Sequence, residues 1–194
     1  MNERFYLLCR AVVYLFFRLL FRLRVEGRGN VPPQGGVVVC ANHRSYLDPP
    51  VLAVAFPRPI YYMAKEELFS VPLLAPLIRV FGAFPVKRGV SDLRSLRRGL
   101  ELLRQGKAVG IFPEGTRRRL LGRGHPGAIF LALQAGVPVI PVAISGSYLP
   151  FSRVTVRIGK PLVLPRPQGR GRRRLEEATE DLVMGGIRAL LEKG

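Results

Sequence analysis

A histidine and an aspartate stand five residues apart in Asn42-His43-Arg44-Ser45-Tyr46-Leu47-Asp48, just after a short apolar run. A carboxylate bonded to one imidazole nitrogen fixes the tautomer and leaves the other nitrogen free to accept a proton. On one continuous helix the two side chains would diverge by roughly 140°. Across a strand–turn–helix corner they can meet. Such a pair needs no serine or cysteine nucleophile. It can deprotonate an acceptor hydroxyl directly, a general-base step of about 10²–10⁴-fold. Asp48 also precedes Pro49, the pattern of a helix N-cap with proline at the first helical position, so a capping role stands beside the catalytic one.

A second polar cluster follows another apolar run: Phe112-Pro113-Glu114-Gly115-Thr116-Arg117. An acidic group, a glycine, a hydroxyl and a guanidinium in one turn suit a binding loop. Arginine grips phosphate through two parallel charge-assisted bonds, and glycine permits close backbone approach. An ordinary turn carrying a Glu–Arg surface pair is the plainer alternative. Gly82 to Arg88 (GAFPVKR) adds two cations at a strand end, and Val137 to Ile144 (VPVIPVAI) adds an apolar strand. Pro138 and Pro141 cannot both donate to a central ladder, which predicts a sheet edge or a bulge there.

These segments need a scaffold, and 194 residues of globular composition suffice for one core. Apolar runs bounded by turns predict strands at 37–41, 60–64, 83–87, 108–112, 137–144 and 154–158. Helices are expected at 49–56, at 91–105 with Ser91 or Asp92 as cap, at 126–135, and along an amphipathic stretch at 173–192. Pro72 and Pro76 predict short or broken helices within 66–80. Residues 25–36 read as a turn-rich connection. Strands alternating with helices imply an α/β fold: a single mixed, largely parallel sheet flanked by helices.

Phe5 to Val25 is strongly apolar, but arginines interrupt it well short of a spanning length. Read as a helix, Arg4, Arg10, Arg18, Arg22 and Arg24 fall within an arc of roughly 160°. That is the pattern of an amphipathic helix lying in a membrane interface with arginines at the headgroups. The predicted division is therefore 1–25 as a membrane-docking helix and 26–194 as the catalytic domain. The interruptions and the lack of a small-residue cleavage site argue against a signal peptide.

The net charge of +18 suits anionic lipid, phosphorylated substrates or nucleic acid. No nucleic-acid motif accompanies it, and nucleic acid is not an expected partner. Two separated cysteines, Cys9 and Cys40, suggest neither a disulfide framework nor a metal site. His43 and His125 are the only histidines, so no zinc site is expected.

In order, NHRSYLD (42–48), GAFPVKR (82–88), FPEGTR (112–117) and VPVIPVAI (137–144) resemble the four motifs of the glycerolipid acyltransferase family. The resemblance covers roughly residues 35 to 145. It implies that His43 is the base and that Asp48 orients it. Arg88 and Arg117 would hold the acceptor phosphate, with Glu114 and Gly115 shaping that loop, and His125 would have a loop role. The implied reaction moves a fatty acyl group from acyl-CoA or acyl-carrier protein to the free sn-2 hydroxyl of lysophosphatidic acid. It needs no metal and no bound cofactor. The threonine of FPEGTR resembles the enzymes acting on lysophosphatidate more than those acting on glycerol 3-phosphate, and glycerol 3-phosphate, a lysophospholipid or an amino-lipid is the alternative acceptor. A peripheral enzyme on the cytoplasmic face of the membrane is the expected setting. A non-catalytic basic binding module is the alternative, and it has no use for the His43/Asp48 pair.

Overall fold

The computed structural model describes residues 3–87, 92–118, 120–164 and 172–193. Its centre is strand β2 (Val37–Ala41), whose five residues are all buried. A run of Val-Val-Val-Cys-Ala with no polar face belongs in a sheet covered on both sides. Val37, Val39 and Ala41 enter one core cluster, and Val38 and Cys40 the other. Around β2 lie β1 (Arg22–Glu26), β3 (Ile60–Lys65), β4 (Phe84–Val86), β5 (Ala108–Ile111), β6 (Val139–Gly146) and β7 (Arg153–Ile158). The sheet order is β1-β7-β6-β2-β5-β3-β4. Every neighbouring pair is parallel except β6–β7.

Helices α1 (Glu3–Leu20), α2 (Asp48–Ala55) and α3 (Leu74–Val80) lie over one face. Tyr6, Phe17 and Leu52 bury their side chains there. Helices α4 (Leu93–Arg104) and α5 (Gly127–Ala135), with the C-terminal helices α6 (Arg172–Ala178) and α7 (Gly185–Glu192), cover the other. Leu103, Leu131 and Ile187 fill that layer. Each such side chain contributes about 1.5–3 kcal/mol by leaving water. Asp92 caps α4, accepting the N–H groups of Arg94 and Ser95. A third N–H, from Lys87, does most to hold its carboxyl below the usual value. Ser91, the other cap candidate, lies outside the described residues.

Three expectations are corrected. The N-terminal helix ends at Leu20 instead of continuing to Val25, and Arg22–Glu26 forms the edge strand β1, parallel to β7. The sequence Arg-Leu-Arg-Val has period two: Leu23 and Val25 pack on the core while Arg22 and Arg24 face out. An alternation of that kind fits a half-buried strand better than a helix. The proline-bearing strand is not at an edge, since β6 sits between β7 and β2. Pro138 precedes the strand and gives only its carbonyl, to the Val38 N–H. Pro141 lies beyond the last β7 partner, Ile158, and accepts from Gly159 N–H, so its missing donor breaks no ladder bond. The C-terminal stretch is helical but not one regular helix. A wider π-turn at Thr179–Met184 separates α6 from α7, and the Thr179 hydroxyl donates to the Leu175 carbonyl.

Candidate active site

The main chain leaves the sheet at Asn42, and that residue explains why it can. Its side chain accepts from Ile144 N–H at 2.7 Å and donates to Ile144 O at 2.9 Å, imitating one more ladder step. The backbone is thereby free to turn, and His43 stands at the carboxyl end of β2. In open α/β sheets that is where functional groups collect.

His43 Nδ1 lies 3.0 Å from Asp48 Oδ2. A carboxylate only accepts, so Nδ1 carries the proton and Nε2 keeps the free lone pair. Asp48 is fully buried, and the His43 side chain is 12% exposed. Oδ2 also receives the backbone N–H groups of Arg44 and Ser45. Oδ1 receives the Tyr148 hydroxyl at 2.7 Å. Although Asp48 starts α2, its carboxylate turns back to N–H groups upstream and makes no cap bond to the helix. The far end of α2 is held by two arginines. Arg10 donates to the Phe56 carbonyl at 2.6 Å, and Arg28 Nε to the Ala55 carbonyl at 3.1 Å. Cations at a helix C-terminus satisfy its orphan carbonyls. Arg10 is thus turned inward and is not a headgroup contact, which corrects the arc drawn from sequence.

The FPEGTR loop supports the imidazole from below. The Phe112 ring stacks on His43 with centroids 4.2 Å apart. Glu114 is buried, and its two oxygens accept His43 N–H at 3.0 Å and Gly122 N–H at 2.9 Å. Arg118 N–H donates to the His43 carbonyl at 2.8 Å. Gly115 has φ +66°, and a Cβ there would stand 3.1 Å from the His125 ring. Glu114 therefore faces inward as a tie between loops. His125 is a loop residue, its N–H donating to Pro113 O. Arg117 is exposed and stacks over the Tyr46 ring at 3.4 Å, bridging the two motifs. Arg88 lies outside the described residues. Cys40, two residues before Asn42, is fully buried, and burial pushes its thiol far up, so it offers no thiolate.

Residues 22–145 match the Acyltransferase family. The 1-acyl-sn-glycerol-3-phosphate acyltransferase of Bacillus subtilis is 32% identical over 142 residues, covering 73% of this chain and 71% of its own length. The enzyme of the same name from Borreliella burgdorferi is 29% identical, covering 72% of this chain and 58% of its own. The chain belongs to the acyltransferase family. Its fold is also that of the crystal structure of the 1-acyl-sn-glycerophosphate (LPA) acyltransferase PlsC from Thermotoga maritima. The TM-score is 0.73 at 28% identity, over 98% of this chain and 83% of that one.

Sequence reasoning missed Tyr148 in this acyltransferase. It follows β6 and reaches Asp48 across a hundred residues of chain. Burial first, then the charge and hydrogen bond of Asp48, raises its phenol far above the ordinary tyrosine value. It therefore remains a neutral donor. The sequence Gly-Ser-Tyr after a buried strand marks a loop at the site end of the sheet, but only the topology brings it to Asp48. A cavity of about 210 Å³ opens beside the pair, lined in part by Arg44, Ser45, Ser145 and Ser147.

Proposed function

We propose that this acyltransferase transfers a fatty acyl group from a thioester donor to the free sn-2 hydroxyl of 1-acylglycerol 3-phosphate, giving phosphatidic acid. The observation that carries the reading is the His43–Asp48 contact of 3.0 Å, with Asp48 buried and bonded on both oxygens. Nε2 of His43 takes the proton of the acceptor hydroxyl as its oxygen attacks the thioester carbonyl. The tetrahedral intermediate collapses, the C–O ester bond is kept, the C–S bond breaks, and the imidazolium returns the proton to the departing thiolate. Asp48 stabilises the imidazolium and keeps its orientation. Arg117, with Arg88, binds the acceptor phosphate. Positioning of this kind supplies several kcal/mol of the barrier reduction.

The donor is acyl-CoA or acyl-carrier protein, and no cofactor takes part. The acceptor's chain holds it in the bilayer, since each buried CH₂ is worth about 0.8 kcal/mol. The enzyme works at that surface as a peripheral protein on the cytoplasmic face. The outer side of α1, with Leu8, Val12, Leu15 and Leu19 exposed, supplies its apolar contact. No helix among the described residues is long and apolar enough to cross a membrane.

The test is acyl transfer to lysophosphatidate in detergent, with acyl-CoA and acyl-carrier protein side by side, for wild type and His43→Ala. Phosphatidate from the wild type and none from the variant is the expected result. No product from the wild type with either donor overturns the acceptor assignment, and glycerol 3-phosphate and other lysolipids are then tried as acceptors.

A further inference from the structure

The turn from β6 to β7 exposes apolar side chains that the fold leaves unused. Leu149 is 68% exposed and Phe151 70%. Phe151 has φ +62°, alone among described residues other than glycine. A side chain in the left-handed region costs conformational energy, and phenylalanine has no local hydrogen bond with which to offset it. Strain maintained at an exposed aromatic gains nothing for the isolated fold. The turn is fixed in place, because Phe151 N–H donates to Leu20 O at 2.6 Å. It therefore sits beside the C-terminal end of α1.

Cations stand beside it. Arg22 on β1 and Arg153 on β7 are register partners, both exposed, at the start of both strands. Further along the same face, Arg24 and Arg157 share Glu26. Arg22 and Arg153 have no such carboxylate among the described residues. Like charges on facing strand positions are unfavourable, and an anion between them would relieve the cost.

We propose that the Leu149–Phe151 turn and the Arg22/Arg153 pair form a second membrane contact, separate from α1. Its occupant is the surface of an anionic bilayer, with the turn inserted below the headgroups and the two guanidiniums on lipid phosphates. This rests on the reading that the enzyme works at a bilayer. An apolar wedge flanked by free cations fits a lipid interface. An acidic carrier protein would use the cations and leave the wedge idle. The contact has a consequence for the site: Tyr148, which holds Asp48, is the residue next to Leu149, so insertion of the turn brings the mouth of the site to the layer that holds the acceptor.

Full-length protein is sedimented with phosphatidylcholine vesicles, with and without phosphatidylglycerol. Phe151→Gly is expected to weaken binding about tenfold on both compositions. The same change should raise the melting temperature, because glycine suits that backbone. Arg22→Gln with Arg153→Gln is expected to weaken binding about thirtyfold on anionic vesicles and not on neutral ones. Wild-type sedimentation by Phe151→Gly overturns the proposal. So does unchanged vesicle binding by the arginine variant with a raised KM for acyl-carrier protein alone, which would give the cations to the donor. A wild type that acylates lysophosphatidate in detergent but ignores vesicles overturns the contact and leaves the reaction standing. Vesicle binding without acyl transfer does the reverse.

Discussion

The dyad half of the site is buried and its carboxylates are bonded on both oxygens, whereas the phosphate half is open. Asp48 accepts four donors and meets no solvent, and Glu114 spends both oxygens on backbone N–H groups. Arg117, by contrast, is exposed, and among the described residues it is held by the face of Tyr46 alone. The difference follows from what each half must do. A base must already have its tautomer and aim fixed when substrate arrives, because reorganisation during the reaction would add to the barrier. A cation awaiting an incoming phosphate must keep its donors unspent. Changes in the closed half should therefore appear in kcat and stability, and changes in the open half in KM.

His43→Ala should have the largest effect, a fall in kcat of at least about 10²-fold with the fold intact. Loss of the ring removes its stack on Phe112 and some stability with it, but the Arg44 and Ser45 N–H groups and Tyr148 still hold Asp48. Near-wild-type turnover would end its assignment as base. Asp48→Asn should lower kcat by about 10²-fold and also lower the melting temperature. The amide would turn a donor toward at least one of the groups that now donate to Asp48. A variant that lost activity with no change in stability would mean that the carboxylate is not needed to knit the loop.

Glu114→Gln comes next. An amide cannot accept with both ends, so His43 N–H or Gly122 N–H loses its partner at about 1–3 kcal/mol of stability. Turnover should drop several-fold while the acceptor KM holds. A KM effect alone would move Glu114 to the phosphate half. Arg117→Ala should do the opposite, raising the acceptor KM about tenfold with the melting temperature unchanged. Unchanged KM and kcat together would count against its phosphate role.

Local signals in the sequence were informative, and long-range ones were not. β2 is bounded as expected, because a buried parallel strand is a short apolar run between turns. The corner after it was legible for the same reason. Turn chemistry located the FPEGTR loop, but not that Glu114 faces inward, since a carboxylate in a turn carries no mark of burial. Arg10 was placed at headgroups because helical periodicity sees only its own helix, and the carbonyl that claims it belongs to Phe56. Pro138 and Pro141 suggested an edge or a bulge because the harmlessness of Pro141 depends on where β7 stops. Tyr148 stood outside every motif.

Tyr148→Phe should give the smallest effect, and it tests whether the closed half depends on its outermost bond. Removing the hydroxyl leaves Asp48 Oδ1 without its partner while keeping the ring against Phe21. A hydrogen bond to a charged group is worth about 1.5 kcal/mol or more, most of it shared by the resting and reacting states, so kcat should fall only about twofold to threefold with the acceptor KM unchanged. A role in packing alone would leave kcat alone, since phenylalanine fills the same space. The pH dependence supplies a second readout. The raised phenol of folded Tyr148 means that its contribution to stability is complete below the unfolded value of about 10 and is lost as pH rises above it. Tyr6 and Tyr62 are raised in the same direction by burial, so the wild type should lose stability steeply in alkali. Tyr148→Phe should flatten that slope without abolishing it. An unaltered slope would mean that the Tyr148 hydroxyl is not held against Asp48 in solution.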